Sequence, residues 1–183
     1  MSIEKLKKFL ISSLIISLAV ILSKICVFKL PNGGSVNLSM IPIVLCSLLF
    51  GNKLGILSGL IYSVIKIVLN INLLPIVNIY KYFTIFILDY IFPYIVLGFT
   101  NMINKKTNNI KLSVFIVIFL RFLSHFTSGI VIWSEYIENL NSNVDILVYS
   151  LIYNCSYLIP EAIIVILFFS NFYSILLKVF LVQ

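Results

Sequence analysis

The chain has 183 residues, of which 61% are hydrophobic and 10% charged, with a formal net charge of +7. Soluble domains carry about 25% charged residues, and a mean hydropathy of +1.15 leaves too little polar surface to cover a water-facing globule. The composition therefore excludes a soluble fold and selects the bilayer as solvent; the basic excess then belongs in cytoplasmic loops and is no sign of nucleic-acid binding.

Apolar runs fall at about 6–28, 40–51, 53–70, 77–101, 112–136 and 145–181. The first follows a basic start, as a secretion signal does. No small-x-small cleavage site follows it, and more apolar runs do, so it reads as the first span. The connection at roughly 29–39 (KLPNGGSVNLS) is rich in turn residues, and is either a plain connector or a lid. The second run is short, and either stands alone or fuses with the third through Gly51-Asn52-Lys53.

Charge placement separates these two options. Lys5, Lys7 and Lys8 precede the first run, and Lys105, Lys106 and Lys111 follow the fourth. The positive-inside bias wants both groups in the cytoplasm, which requires an even number of crossings between them. Separate second and third helices joined by a tight cytoplasmic turn satisfy that condition. The loop near 137–144, flanked by Glu135, Glu138 and Asp145, then lies outside, Lys178 lies inside, and Lys24 and Lys29 are mild external exceptions. The expectation is an all-α integral membrane protein: six transmembrane helices, N-in and C-in, surrounded by lipid. With no long hydrophilic stretch, residues 1–183 make one transmembrane domain. Cys26, Cys46 and Cys155 are unpatterned and read as packing residues. A single histidine argues against a metal site, and no cofactor motif stands out. Abundant Ile, Asn and Lys fit an AT-rich bacterial genome.

Ionisable residues inside apolar runs usually face a bundle interior or a cavity. Asp89 lies in the fourth run, four residues before Pro93, which cannot donate to the Asp89 carbonyl; a polar notch at a kink is expected there. In the fifth run, Arg121, His125, Gly129 and Trp133 are spaced by four, so His125, Gly129 and Trp133 share one helix face beside Ser124 and Ser128. Arg121 reads as a structural partner for an acid or for helix-end carbonyls. In the sixth, Ser150, Asn154, Tyr157 and Glu161 share a face flanked by Tyr149 and Tyr153, and Pro160 predicts a second kink. With the expected sidedness, Asp89 is ~18 Å into its helix. Asp89, His125, Trp133, Tyr149 and Asn154 then converge in the outer half of the bundle. Aromatic faces, one carboxylate and an amide suit a cationic, aromatic, nitrogen-rich ligand.

The segments GGSVNLSMIPI (33–43), LDY (88–90), RFLSHFTSGIVIW (121–133) and YSLIYNCSYLIPEA (149–162) resemble the ThiT family, thiamine-specific substrate-binding (S) components of energy-coupling factor (ECF) transporters. The resemblance runs over nearly the whole chain. It implies a six-helix bundle binding thiamine near the external face, and coupling to a membrane scaffold subunit and two cytoplasmic ATPases. It also implies ligand contacts from Asp89 and Tyr90 on the fourth helix, His125, Gly129 and Trp133 on the fifth, and Tyr149 and Asn154 on the sixth. Small residues on the first helix, Ser13 and Ser17, match a scaffold-docking patch. Residues 30–40 contain no aromatic, where family members can carry one near the ligand. Some members carry Glu where this chain has Asp89.

Two other readings compete. One is an S component for another vitamin or for the pyrimidine moiety of thiamine. The other is a membrane-embedded hydrolase using Asp89, His125 and Glu161, for which no H-E-x-x-H or paired-glutamate motif exists. The chain has no G-x-x-x-x-G-K-[ST] pattern, so it is expected to be non-enzymatic, with ATP hydrolysis only in partners.

Overall fold

The computed structural model describes residues 2–30, 33–71, 78–136 and 142–181. Pro31, Asn32, residues 72–77 and residues 137–141, including Glu138, lie outside the described residues.

Helix α1 is Ile3–Lys24, capped by Ser2, whose hydroxyl accepts from the Lys5 amide at 3.4 Å. Its 22 residues span ~33 Å, enough for the hydrocarbon layer. The chain then leaves the helix and forms strand β1, Cys26–Lys29, paired antiparallel with β2, Ser35–Asn37. This corrects the expected first run of 6–28. Residues 26–28 belong to a hairpin, because the membrane has already been spanned and hydropathy alone cannot tell a short apolar strand from another helical turn.

Helix α2, Met40–Phe50, is apolar on every side, and Met40 through Leu49 are all buried. A helix of that kind belongs inside a bundle rather than on its surface. Its 11 residues reach only ~16 Å, too short to cross a membrane alone. Gly51, at φ 87°, turns the chain into α3, Asn52–Asn70. The second and third runs are therefore separate helices joined by a tight turn.

Helix α4, Ile79–Thr107, changes register twice. A π-helical stretch covers Phe86–Ile91 and a 3-10 stretch covers Val96–Phe99. The kink expected from Pro93 takes the form of this π turn, closed by the Phe92 amide donating to the Ile87 carbonyl. Slack in the ladder upstream of a proline accommodates the missing donor. Further along, a Cβ on Gly98 would strike the backbone of Gly55 and Ile56 on α3. The Gly98 carbonyl also accepts from the Ser47 hydroxyl on α2 at 2.6 Å. Three helices thus meet at one point with backbone exposed to backbone.

Helix α5, Ile110–Val131, is capped by Asn109, which accepts from the Leu112 amide at 3.1 Å. Helix α6, Asn143–Leu181, runs 39 residues and passes through Pro160 unbroken. Six helices are present among the described residues, five of them long and apolar enough to cross a membrane. The core packs around α2: Ala19, Met40, Ile43, Val44, Leu97, Val117, Val165 and Phe169 are all fully buried there.

Candidate functional site

Asp89 sits in the π turn of α4, where the altered register turns its carboxylate toward α5. Its Oδ2 accepts from the Ser128 hydroxyl at 2.7 Å and from the Trp133 indole Nε1 at 2.9 Å. Its Oδ1 lies 3.2 Å from His125 Nδ1. The Ser124 hydroxyl donates to the Leu88 carbonyl at 2.6 Å and fastens the same turn from the side. An ionised carboxylate only accepts, so Nδ1 carries the imidazole proton and Nε2 is left as an acceptor. That Nε2 is buried and has no hydrogen-bond partner among the described residues.

Trp133 lies beyond α5. The helix ends at Val131, Ile132 departs from helical geometry (φ −121°, ψ −57°), and Trp133–Tyr136 forms a 3-10 turn. This corrects the expected fifth run of 112–136. The spacing of four still brings Trp133 to Asp89, but through a turn tethered by the ion pair of Glu135 with Lys81.

On α6 the tyrosines form a ladder. Tyr149 stacks on Tyr153 (centroids 5.8 Å apart, planes at 18°), and Tyr153 meets Tyr157 edge-on at 5.9 Å. The Tyr153 hydroxyl accepts from the Gly34 amide at 2.9 Å, tying the β hairpin to the ladder. Asn154 is held by its neighbours. Its Nδ2 donates to the Ser150 carbonyl at 2.9 Å, and its Oδ1 accepts from the Tyr157 hydroxyl at 2.9 Å. Gly129 is where α5 meets α6: a Cβ there would overlap the Ser150 hydroxyl, which itself donates to the Phe126 carbonyl at 2.9 Å.

All seven residues singled out in the sequence, Asp89, Tyr90, His125, Gly129, Trp133, Tyr149 and Asn154, line a single cavity of about 110 Å³. The hairpin closes one side of it with Gly33, Gly34, Ser35 and Asn37. That wall is backbone and small polar groups, as the lack of aromatics at 30–40 requires.

The cavity also has a cationic wall. Lys66, on α3, donates to the Tyr94 hydroxyl at 2.5 Å and lies 5.1 Å above the Tyr94 ring. Arg121 stacks over the same ring at 4.9 Å and pairs with buried Glu161 at 3.5 Å. Arg121 thus has the acidic partner expected of it, yet it also lines the cavity, and its Nε and Nη1 are buried with no hydrogen-bond partner among the described residues. Lys66 and Tyr94 were not singled out in the sequence. The signal was present for Lys66, the one charge between Lys53 and Lys81.

Ser13 and Ser17 are on the outward, exposed face of α1. Their hydroxyls donate to the Phe9 and Ser13 carbonyls of the same helix, at 3.0 Å each.

A multi-pass helical bundle enclosing one aromatic cavity with fixed polar groups has the architecture of a membrane protein that holds a small polar solute. The sequence pattern of the family described as Thiamine transporter protein (Thia_YuaJ) matches residues 9–181, and the chain belongs to that family. The thiamine transporter ThiT of Bacillus subtilis (strain 168) is 30% identical over 150 residues, covering 74% of this chain and 73% of that protein. The crystal structure of ThiT from Listeria monocytogenes superposes with a TM-score of 0.68 over 94% of this chain and 98% of that one. At 16% identity, that likeness establishes a shared fold.

Proposed function

We propose that residues 1–183 form the thiamine-binding S component of an ECF-type importer. In this reading the chain captures thiamine from outside and delivers it through a scaffold membrane subunit and two ATPase subunits. One observation carries the site assignment: Asp89 fixes His125 by its Nδ1 and leaves Nε2 as a buried, unpartnered acceptor. A buried acceptor without a donor costs ~1–3 kcal/mol, and the exocyclic amine of an aminopyrimidine supplies that donor. The Asp89 charge balances the thiazolium, and Trp133, Tyr149 and Tyr90 supply π faces for it, each worth ~2 kcal/mol or more when desolvated. Gly129 and Asn154 shape the wall between α5 and α6. The sequence carries no G-x-x-x-x-G-K-[ST] pattern, which fits energy supply by partners. The small, self-bonded surface of Ser13 and Ser17 suits close approach of a partner helix.

Trp133 is the sole tryptophan, so its fluorescence reports on the pocket directly. Thiamine is expected to quench wild-type emission saturably, with affinity at least ~100-fold weaker in Asp89→Ala. Equal affinity in the two proteins would remove Asp89 from the site, and absence of any saturable quenching would remove thiamine.

A further inference from the structure

Beside the cavity lies a second chamber of about 310 Å³, between the ends of α1 and α3 and the hairpin. The two spaces share Gly33, Ser35 and Lys66. Three lysines line the chamber: Lys24 from the end of α1, Lys29 from β1 and Lys66 from α3. None of its lining residues is acidic. The ion pairs among the described residues are Lys8–Glu4, Lys81–Glu135, Arg121–Glu161 and His125–Asp89, so none of the three lysines has a carboxylate partner there.

Ordinary explanations cover two of the three, since Lys24 and Lys29 are exposed and Lys66 is not. Lys24 complements the carbonyl end of α1. Lys29 is in a strand, and Lys66 lies more than a turn before the end of its helix. A lysine within a membrane helix is costly on insertion scales, and Lys66 has one neutral oxygen, the Tyr94 hydroxyl, as its hydrogen-bond acceptor. Ser35 adds a neutral donor: its hydroxyl accepts from Asn37 Nδ2 at 3.2 Å and keeps its own proton to give. Convergent ammonium groups and a hydroxyl, with no internal anion, are the chemistry that holds a phosphate dianion.

We propose that this chamber is a binding site for a phosphate-type oxyanion, with Lys24, Lys29 and Lys66 as its charged donors. Two sources carry that chemistry. One is the phosphoester tail of a ligand whose body occupies the main cavity, which rests on the thiamine reading above. The other is a phospholipid headgroup at the outer surface, which does not.

The test uses the full chain and the double variant Lys24→Gln/Lys29→Gln, which leaves every main-cavity residue in place. Affinities for thiamine and thiamine monophosphate are compared by fluorescence titration. Thermal stability is followed with added inorganic pyrophosphate, and separately with added phosphatidylglycerol in neutral detergent. A phosphoester source predicts thiamine affinity within twofold of wild type and thiamine monophosphate affinity weakened ~10-fold in low salt, with a smaller loss in high salt. A headgroup source predicts a phosphatidylglycerol-dependent stabilisation that disappears in the double variant. Either result, repeated by Lys66→Met, supports the site. A double variant that changes neither the monophosphate-to-thiamine ratio nor the response to pyrophosphate or phosphatidylglycerol overturns it. If wild type fails to bind thiamine at all, the thiamine reading falls, while the two stability measurements still judge the chamber.

Discussion

Asp89 shows how much one side chain organises here. A hydroxyl, an indole and an imidazole from three positions of one segment converge on its two oxygens. Hydrogen bonds to a charged acceptor contribute ~1.5–3 kcal/mol each. Asp89→Asn keeps the shape and removes the charge, and an amide presents one acceptor oxygen where the carboxylate had two. Thiamine affinity is expected to fall ~10–100-fold in this variant, with a shifted Trp133 emission maximum in the ligand-free protein; an unmoved spectrum would show that the indole does not depend on the carboxylate. Asp89, His125 and Trp133 were legible in the sequence because isolated polar groups in apolar helices have few places to go. Lys66 carries the same signal. Its hydrogen-bond partner Tyr94, however, lies 28 positions away on another helix, and a lysine near a helix end also reads as one that snorkels to the surface.

At the level of elements, the contact of α5 with α6 depends on a missing side chain. Gly129→Ala places a methyl group on the Ser150 hydroxyl, and overpacking of this kind costs ~1–3 kcal/mol. The expected result is a lower unfolding temperature in detergent together with weaker thiamine binding, since Ser150 also positions Asn154. A variant with wild-type stability would show that the helices separate freely there. The helices themselves were readable from hydropathy and turn residues, including the break at Gly51 between α2 and α3. What hydropathy concealed were departures from α geometry. Strand β1 (CVFK) and the π turn around Asp89 (FILDYI) are built mostly of apolar residues, like their helical neighbours. Pro93 gave the position of the kink but not its form, because a lost donor is accommodated equally by a bend, a π turn or a 3-10 turn.

For the whole molecule, sidedness is the property with the clearest test. The basic residues Lys5, Lys7 and Lys8 lie at the start of α1, and Lys105, Lys106 and Lys111 around the turn between α4 and α5, while the hairpin with its exposed Cys26 follows the other end of α1. With the N-terminus inside, a membrane-impermeant maleimide is expected to modify Cys26 in intact cells. Lys106→Cys should stay unmodified until the membrane is permeabilised. The reverse pattern would invert the topology and turn the cavity toward the cytoplasm. Charge bias along the sequence is the basis of this expected orientation. The central position of α2, buried on all sides, was not readable in the sequence, since a short apolar run looks the same whether it borders lipid or protein.

The Asp89 network has a further consequence that concerns time. Its carboxylate is already solvated by three donors belonging to the protein, so the unliganded pocket holds its shape and an arriving molecule has little to rearrange. Preorganisation of that kind keeps the ordering cost of binding low. Among related complexes, differences in affinity then appear mainly as differences in departure rate. Loosening any one of Ser128, His125 or Trp133 should therefore shorten the residence of the ligand far more than it delays its arrival.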